Sequence, residues 1–212
     1  MTQVTEVDHP LVRHHLTRLR ARETTPHEFR RLLRQLSSLL AYEATADLTA
    51  HPVSIQTPLT SMMGTQVTAK VALVPILRAG LGMVDPILDL VPHAEVWHLG
   101  VYRDEATAKP VEYYNKLPQT QPPDVVFLLD PMLATGGSAC MAIAAIQRWG
   151  VRSIKLLSVI ASRDGVKAVT DQFPATQIFV GQIDPELNHH KYIVPGLGDA
   201  GDRTFNTLPS PG

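Results

Sequence analysis

One stretch constrains this chain more than any other. It runs Val125-Val126-Phe127-Leu128-Leu129, then Asp130-Pro131-Met132-Leu133, then Ala134-Thr135-Gly136-Gly137-Ser138. Consecutive apolar residues rich in β-formers predict a strand buried on both faces, as in a parallel sheet covered by helices on each side. An acid stands where that strand ends. The small residues that follow let a ligand approach the backbone, and they open a helix expected over Cys140 to Trp149. Successive N–H groups at a helix start favour an anion, and Thr135 and Ser138 add hydroxyls. In open α/β sheets ligands bind at the carboxyl ends of the strands. Thr-Gly-Gly alone would equally suit a plain strand–turn–helix connection; the whole run is more specific. It is not a Walker loop, because no Gly-Lys-Ser/Thr follows. Nor is it a dinucleotide fingerprint, because the glycine spacing is wrong.

A second apolar strand, Val71 to Leu77, leads into Arg78-Ala79-Gly80-Leu81-Gly82. An arginine directly after a buried strand shares a sheet edge with Asp130, where a guanidinium in a glycine loop can meet an anion. An exposed loop arginine in a surface ion pair is the plainer alternative. Leu81 to Leu90 looks helical, with Pro86 near its first turn. Glu95 to Tyr102 is strand-like. Arg103 follows it, and the polar stretch 104–121 with Tyr113-Tyr114 has the length of a flap or projecting hairpin. Beyond the central loop, Ala142, Ile143, Ile146 and Trp149 make a helical face with Gly150 as its C-cap. Strands at Ile154 to Ile160 and Ile178 to Val180 flank a helix at Asp164 to Phe173. Strand and helix alternate from 71 to 180, which predicts a doubly wound, mostly parallel α/β sheet.

The flanks read differently. Val12, Leu16 and Leu19 put a helix over His9 to Ala21, with Arg13, Arg18, Arg20 and Arg22 expected on its solvated face. Thr25-Pro26-His27-Glu28 predicts a helix start with a capping box, and Phe29 to Leu40 supply a broad apolar stripe to about Tyr42. Val53 to Pro58 reads as a short strand, and residues 59–70 carry no pattern that assigns them. Asp184 to Asn188 reads as a turn. The glycine-rich run Tyr192 to Arg203 carries two acids, and its apolar start could anchor it. His189 and His190 read as solvated turn residues.

With 212 residues and 44% of them hydrophobic, the chain suffices for one α/β domain with a full core. A net charge of −1 gives no basic excess for non-specific nucleic-acid binding. The single cysteine, Cys140, excludes an internal disulfide and fits a reducing compartment. A thiol at a helix start can have a lowered pKa, but packing is the simpler reading. No signal-peptide core and no membrane-length apolar run is present, so a cytoplasmic protein is expected.

An apolar strand, an acid and Ala-Thr-Gly-Gly-Ser resemble the PRPP loop of type I phosphoribosyltransferases. Most members carry two acids before the loop; here Pro131 replaces the second. The resemblance extends over nearly the whole chain through Arg78 to Met83, Tyr102-Arg103-Asp104, Pro110 to Pro118, Asp130 to Ser138 and Pro195 to Arg203. Together these are similar to the bacterial uracil phosphoribosyltransferases, in which Asp-Pro is usual and Gly-Leu-Gly-Asp-Ala-Gly-Asp is the most specific mark. Departures are Pro86, where glycine is common, and Thr204 and Asn206 in the tail.

The resemblance implies a type I phosphoribosyltransferase fold over residues 1–212, with N-terminal helices (1–45), an α/β core (71–180) and a base-binding hood (181–212). It implies transfer of phosphoribose from PRPP to uracil, giving UMP and diphosphate, with Mg2+ carried mainly by the PRPP diphosphate rather than by the protein. Carried residue by residue, Asp130, Pro131, Met132, Leu133, Ala134, Thr135, Gly136, Gly137 and Ser138 bind ribose and 5-phosphate. Arg78 and Arg103 bind diphosphate, Asp199 contacts PRPP, and Ile193, Gly198, Asp199 and Ala200 bind uracil. A homodimer or larger oligomer is implied, and GTP activates some members. Three rivals would look different. An RNA-binding regulator should show a basic face, a purine enzyme another sequence at Gly198-Asp199-Ala200, and a non-catalytic PRPP-binding module should lack Arg78, Arg103 or Asp130.

Overall fold

The computed structural model describes residues 4–103, 110–118 and 121–207, and of residues 102, 103 and 110 only the backbone. In chain order its elements are β1 (Val4–Glu6), α1 (Pro10–Arg20), α2 (Pro26–Ala44), β2 (Ala50–Gln56), β3 (Ser61–Val67) and β4 (Val71–Leu77). A 3-10 turn (Ala79–Met83), α3 (Val84–Leu88), β5 (Glu95–Val96), β6 (Leu99–Arg103) and β7 (Pro110–Asn115) follow. Then come β8 (Val125–Leu129), β9 (Met132–Leu133), α4 (Gly137–Trp149), β10 (Ser153–Ser162), α5 (Arg163–Gln172) and β11 (Gln177–Asp184). The C-terminal part holds β12 (Glu186–Leu187), β13 (Ile193–Val194) and α6 (Ala200–Phe205).

The main sheet runs β1-β11-β10-β8-β4-β6-β7, with β5 beside β4 and β9 beside β10. All its pairings are parallel except β6 with β7, as the alternation of strand and helix requires. β8 is central. Its Val125 pairs with Val71 of β4 and with Ser153 of β10. Successive residues of β8 serve opposite cores because strand side chains alternate. Val125, Phe127 and Leu129 pack with α1 and α2, whereas Val126 and Leu128 pack with α4 and α5. That two-sided burial explains why the strand is apolar throughout.

The N-terminal helices form as expected, with two corrections. Pro10 and Pro26 open α1 and α2, and Thr25 accepts from the N–H of Glu28 at 3.3 Å. The expected capping box is half made, because the Glu28 carboxylate accepts from Arg18 and Arg31 instead. Arg20 does not belong to a solvated face: its guanidinium forks onto Asp184, both contacts at 2.7 Å, and only 17% of its side chain is exposed. Arg13 and Arg18 are exposed as expected.

Three further departures have local causes. Residues 50–67 form an antiparallel hairpin, β2 with β3, on whose strands only Val53 and Gly64 are even half-buried. A hairpin with neither face packed has no reason to alternate, so its second strand left no pattern. Asp184 to Asn188 is not a simple turn: Asp184 ends β11, and β12 pairs with β13. The chain after Arg78 is a 3-10 turn rather than an open loop, and Gly80 serves it by close approach, since a Cβ there would lie 2.4 Å from the Leu129 carbonyl. No helix among the described residues is long and apolar enough to cross a membrane.

Candidate active site

The carboxyl ends of β4 and β8 and the start of α6 converge on one cleft of about 600 Å3. Leu77, Arg78 and Ala79 line it from β4 and the turn after it, and Met132 lines it from the stretch after β8. Asp199, Ala200 and Gly201 line it from α6, and Val101 and Tyr113 from the β6–β7 pair. Residues more than a hundred positions apart in sequence thus share one surface.

Each member is held by identifiable forces. Arg78 follows a cis Leu77–Arg78 peptide, and its Nη2 lies 3.1 Å from the Asp202 carboxylate. Its Nη1 reaches the Thr207 hydroxyl at 3.4 Å. Asp199 is the N-cap of α6 and accepts from the N–H of Asp202 at 2.8 Å. That role suits the residue type, since a carboxylate at a helix start meets unpaired N–H groups. At the other end of α6, Asn206 takes the left-handed conformation at φ 58°, which asparagine tolerates better than most residues.

Asp130 sits at the end of β8, half-buried, with the N–H of Met132 donating to it at 3.3 Å. Burial pushes its carboxyl up to about 7, because the charged form loses water, and the Met132 N–H only partly opposes this. The loop after it is pinned from α5. Ser162 donates to the Ala134 carbonyl at 2.5 Å and also accepts from the N–H of Gly165, as the N-cap of α5. Gly165 is packed so closely that a Cβ would lie 2.4 Å from the Ala134 carbonyl. Gly136 takes φ 80° and caps α4, which begins at Gly137, three residues before the expected Cys140. The start of α4 therefore lies inside the small-residue run, so its first N–H groups belong to the loop. Cys140 is buried, its thiol points to the Ala168 carbonyl at 3.7 Å, and burial raises its pKa rather than lowering it. The packing reading of Cys140 stands.

Arg78, Met132, Asp199 and Ala200 line the cleft together, and Met132 is the residue that the stretch Asp130 to Ser138 contributes to it. Leu133 is 1% exposed and packs into the core on the α4 side. Ile193 is buried in the core below the C-terminal segment, and Gly198 is exposed with φ 80°. Arg103 ends β6 beside this rim; its side chain lies outside the described residues, as do residues 104–109 and 119–120 of the expected flap. Tyr113, placed by the sequence in the expected flap or hairpin, lines the cleft. Sequence reading also missed Asp202, Asp184 and Arg203 as structural partners of the site. Nothing in the local pattern marks them, since their partners lie far along the chain.

The family model for uracil phosphoribosyltransferase matches residues 6–207. The uracil phosphoribosyltransferase of Roseiflexus sp. (strain RS-1) is 56% identical over 207 residues, covering 98% of this chain and 100% of the relative. That of Clostridium novyi (strain NT) is 50% identical over 208 residues, with the same coverage. Among solved structures, the AQ2163 protein of Aquifex aeolicus superposes with a TM-score of 0.91 at 36% identity, covering 96% of this chain and 98% of the other. A hypoxanthine phosphoribosyltransferase of Staphylococcus aureus, 14% identical with a TM-score of 0.51 over 86% of this chain and 84% of the other, shares the fold. A match over nearly the full length, with identities of half or more, leaves one assignment: this chain belongs to the uracil phosphoribosyltransferase family.

Proposed function

We propose that this chain is a glycosyltransferase that moves the phosphoribosyl group of PRPP onto uracil, releasing diphosphate and giving UMP in pyrimidine salvage. The observation that carries the reading is the single cleft in which Arg78, just after β4, meets Asp199 and Ala200 at the start of α6 and Met132 from the stretch after β8. Asp130 to Ser138 take the ribose and 5-phosphate: Asp130 takes the ribose hydroxyls, and the loop Ala134 to Ser138 takes the phosphate with N–H groups and hydroxyls. Arg78 and Arg103 take the diphosphate, and Asp199 contacts PRPP. Ile193, Gly198, Asp199 and Ala200 take uracil. The chain works as one unit, with residues 1–45 as a packing layer, 71–180 as the phosphate-binding core and 181–212 as the hood.

Breaking the C1–O bond of PRPP puts negative charge on diphosphate and cationic character on ribose. Two guanidiniums at the leaving group stabilise that separation, and fixed donors in a sheltered site need no reorganisation. Uracil must present N1 to C1 from the opposite face, which is a positioning task suited to fixed backbone. An N–H facing O4 and a carbonyl facing N3–H accept uracil, whereas cytosine would set like against like.

Magnesium fits as an ion brought in on the diphosphate. Among the described residues no three His, Cys, Asp or Glu side chains gather into a metal cage, while Asp199 stands singly in the cleft beside Arg78. Mg2+ keeps several waters and needs only one or two carboxylates besides substrate phosphates, so Asp199 would be the residue to help hold it. When bound, it adds positive charge at the leaving group.

The same family reading extends to a cytoplasmic location, to a homodimer or larger assembly, and to GTP as an activator. It includes no membrane or nucleic-acid partner. Sedimentation, and initial rates with and without GTP, measure assembly and activation. The deciding assay is UMP formation from uracil and PRPP, with and without magnesium, against cytosine, hypoxanthine and orotate. A chain that makes no UMP, or prefers another base, overturns the reading. Replacing Gly198 or Ala200 by proline should relax the choice of uracil over cytosine; unchanged discrimination would exclude backbone readout.

A further inference from the structure

The hood is held against the N-terminal helices by two arginines to which the chemistry above gives no part. Arg20, the last residue of α1, donates to both Asp184 oxygens and to the Gly196 carbonyl, each at 2.7 Å. Asp184 in turn accepts from the N–H of Gly196 at 3.0 Å. Both polar groups of the Gly196 backbone are therefore tied to one ion pair, whose carboxylate is 2% exposed. One residue on, Arg203 of α6 donates to the Leu197 carbonyl at 2.7 Å. Its other nitrogen donates to the Ala21 carbonyl at 2.7 Å, and its guanidinium lies 4.6 Å from the centre of the Phe29 ring. Arg203 is only 8% exposed. Arg20 and Ala21 are neighbours in the chain, so one corner of the N-terminal helices grips two consecutive peptides of the hood.

That grip lies immediately before Gly198, Asp199 and Ala200, three of the four residues read as the base site. Gly196 and Gly198 both take positive φ, 63° and 80°. Glycine visits either sign of φ readily, so a segment with two such residues does not hold its own shape. A Cβ at Gly196 would lie 2.0 Å from the Ile193 carbonyl, so glycine is required where the conformation is least self-determined. Among the described residues, Gly198 makes no hydrogen bond with the chain, whereas its two predecessors are clamped. Charged donors on neutral carbonyls are the stronger kind of hydrogen bond, and a planar fork fixes direction as well as distance.

We infer that Arg20 and Arg203 are positioning residues for nucleobase recognition: through the Gly196 and Leu197 peptides they set the backbone of Gly198 to Ala200 that reads the base. The inference rests on the proposed uracil site. Neither arginine lines the cleft, and neither touches substrate. The N-terminal helices thus become part of the specificity apparatus rather than a packing layer alone.

Steady-state kinetics of Arg203→Lys test it. A lysine keeps the charge but cannot serve the Leu197 and Ala21 carbonyls together in the fork geometry. The KM for uracil should rise roughly tenfold or more, as for a lost charged hydrogen bond. The KM for PRPP should stay at the wild-type value, and preference for uracil over cytosine should fall. Arg20→Lys should show the same split, and it supplies the reading if Arg203→Lys does not accumulate folded. Leu40→Val, a core change on α2, is the control: it should lower Tm and leave the ratio of the two KM values alone. An unmoved uracil KM in both arginine variants, or equal rises in both KM values, would overturn the inference and leave a structural clamp only. A wild-type chain that makes no UMP removes the parent reading instead; UMP formation with an unmoved uracil KM removes this one alone.

Discussion

The Arg78 guanidinium stands 3.1 Å from the Asp202 carboxylate, joining the end of the second central strand to the C-terminal helix. The arginine proposed to take diphosphate is thus already engaged by an acid. The Arg78 side chain is 56% exposed, so the pair contributes little to folding, at most about 1 kcal/mol. Its consequence is for binding, since PRPP reaching for the Nη2 of Arg78 competes with Asp202 for it. Asp202→Asn should leave Tm nearly unchanged and lower the KM for PRPP. Arg78→Ala should leave Tm equally unmoved but cut kcat/KM by roughly 100-fold or more, the usual loss for one fixed charge contact in the transition state. Near-wild-type turnover in Arg78→Ala would remove its diphosphate role.

Asp130 makes stability depend on pH with a definite sign. Its folded-state pKa is raised to about 7 from 3.8 by burial. Between those values the folded chain keeps a proton that the unfolded chain has released, so this group's contribution to stability falls as pH rises through the window. Asparagine carries no charge at any pH. The stability gained by Asp130→Asn over wild type should therefore widen from about pH 5 to about pH 8, read as urea midpoints without PRPP. A gap that is flat with pH would contradict it. The same variant should lose kcat/KM for PRPP, because a carboxylate accepts from ribose hydroxyls in a way that an amide NH2 cannot.

Lys155 is a buried cation outside the site, 2% exposed, with its Nζ 2.6 Å from the Ala44 carbonyl at the end of α2 and close to the Asp47 carboxylate. The rings of Phe127 and Phe179 lie 5.9 and 5.8 Å from it. The ammonium satisfies a helix-end carbonyl that packing has removed from water. Lys155→Met keeps most of the volume but leaves that carbonyl without its partner, which costs about 1–3 kcal/mol. Tm should fall by several degrees and both KM values should stay put. A variant as stable as wild type would mean that the carbonyl finds another partner.

Gly165→Ala sets two effects against each other. In a helix, alanine is favoured over glycine by about 1 kcal/mol. Here the added Cβ would meet the Ala134 and Leu133 carbonyls at 2.4 and 2.5 Å, both backbone atoms that cannot swing aside. Sterics should win. The loop proposed to take the 5-phosphate should shift, with a higher KM for PRPP and a lower Tm, while the KM for uracil changes less. A more stable, fully active variant would show that the loop can move away without consequence.

How far the sequence could be read follows from how local each cause is. The central strands were legible because burial on both faces demands continuous apolar residues, and the loop because small residues and a helix start are neighbours in the chain. The second strand of the hairpin at 50–67 was not, because a ribbon exposed on both faces needs no pattern. Arg20 read as one of four solvated arginines on an amphipathic helix. Its acid partner is 164 residues away and its carbonyl partner 176, and no periodicity reports that. Tyr113 likewise read only as part of a flap, since only the position of β7 beside β6 brings it to the cleft.

By itself, then, the sequence determined the parallel α/β core, the small-residue loop that opens α4 and the family, because periodicity, turn chemistry and motif order act between near neighbours. Tertiary structure alone decided which acids and arginines are buried together, that Asp202 engages Arg78, and that the glycine-rich hood borrows its shape from the N-terminal helices. The physical reason is that glycine leaves its backbone undecided. Such a segment takes its conformation from whatever distant donors and acceptors the rest of the fold delivers to it.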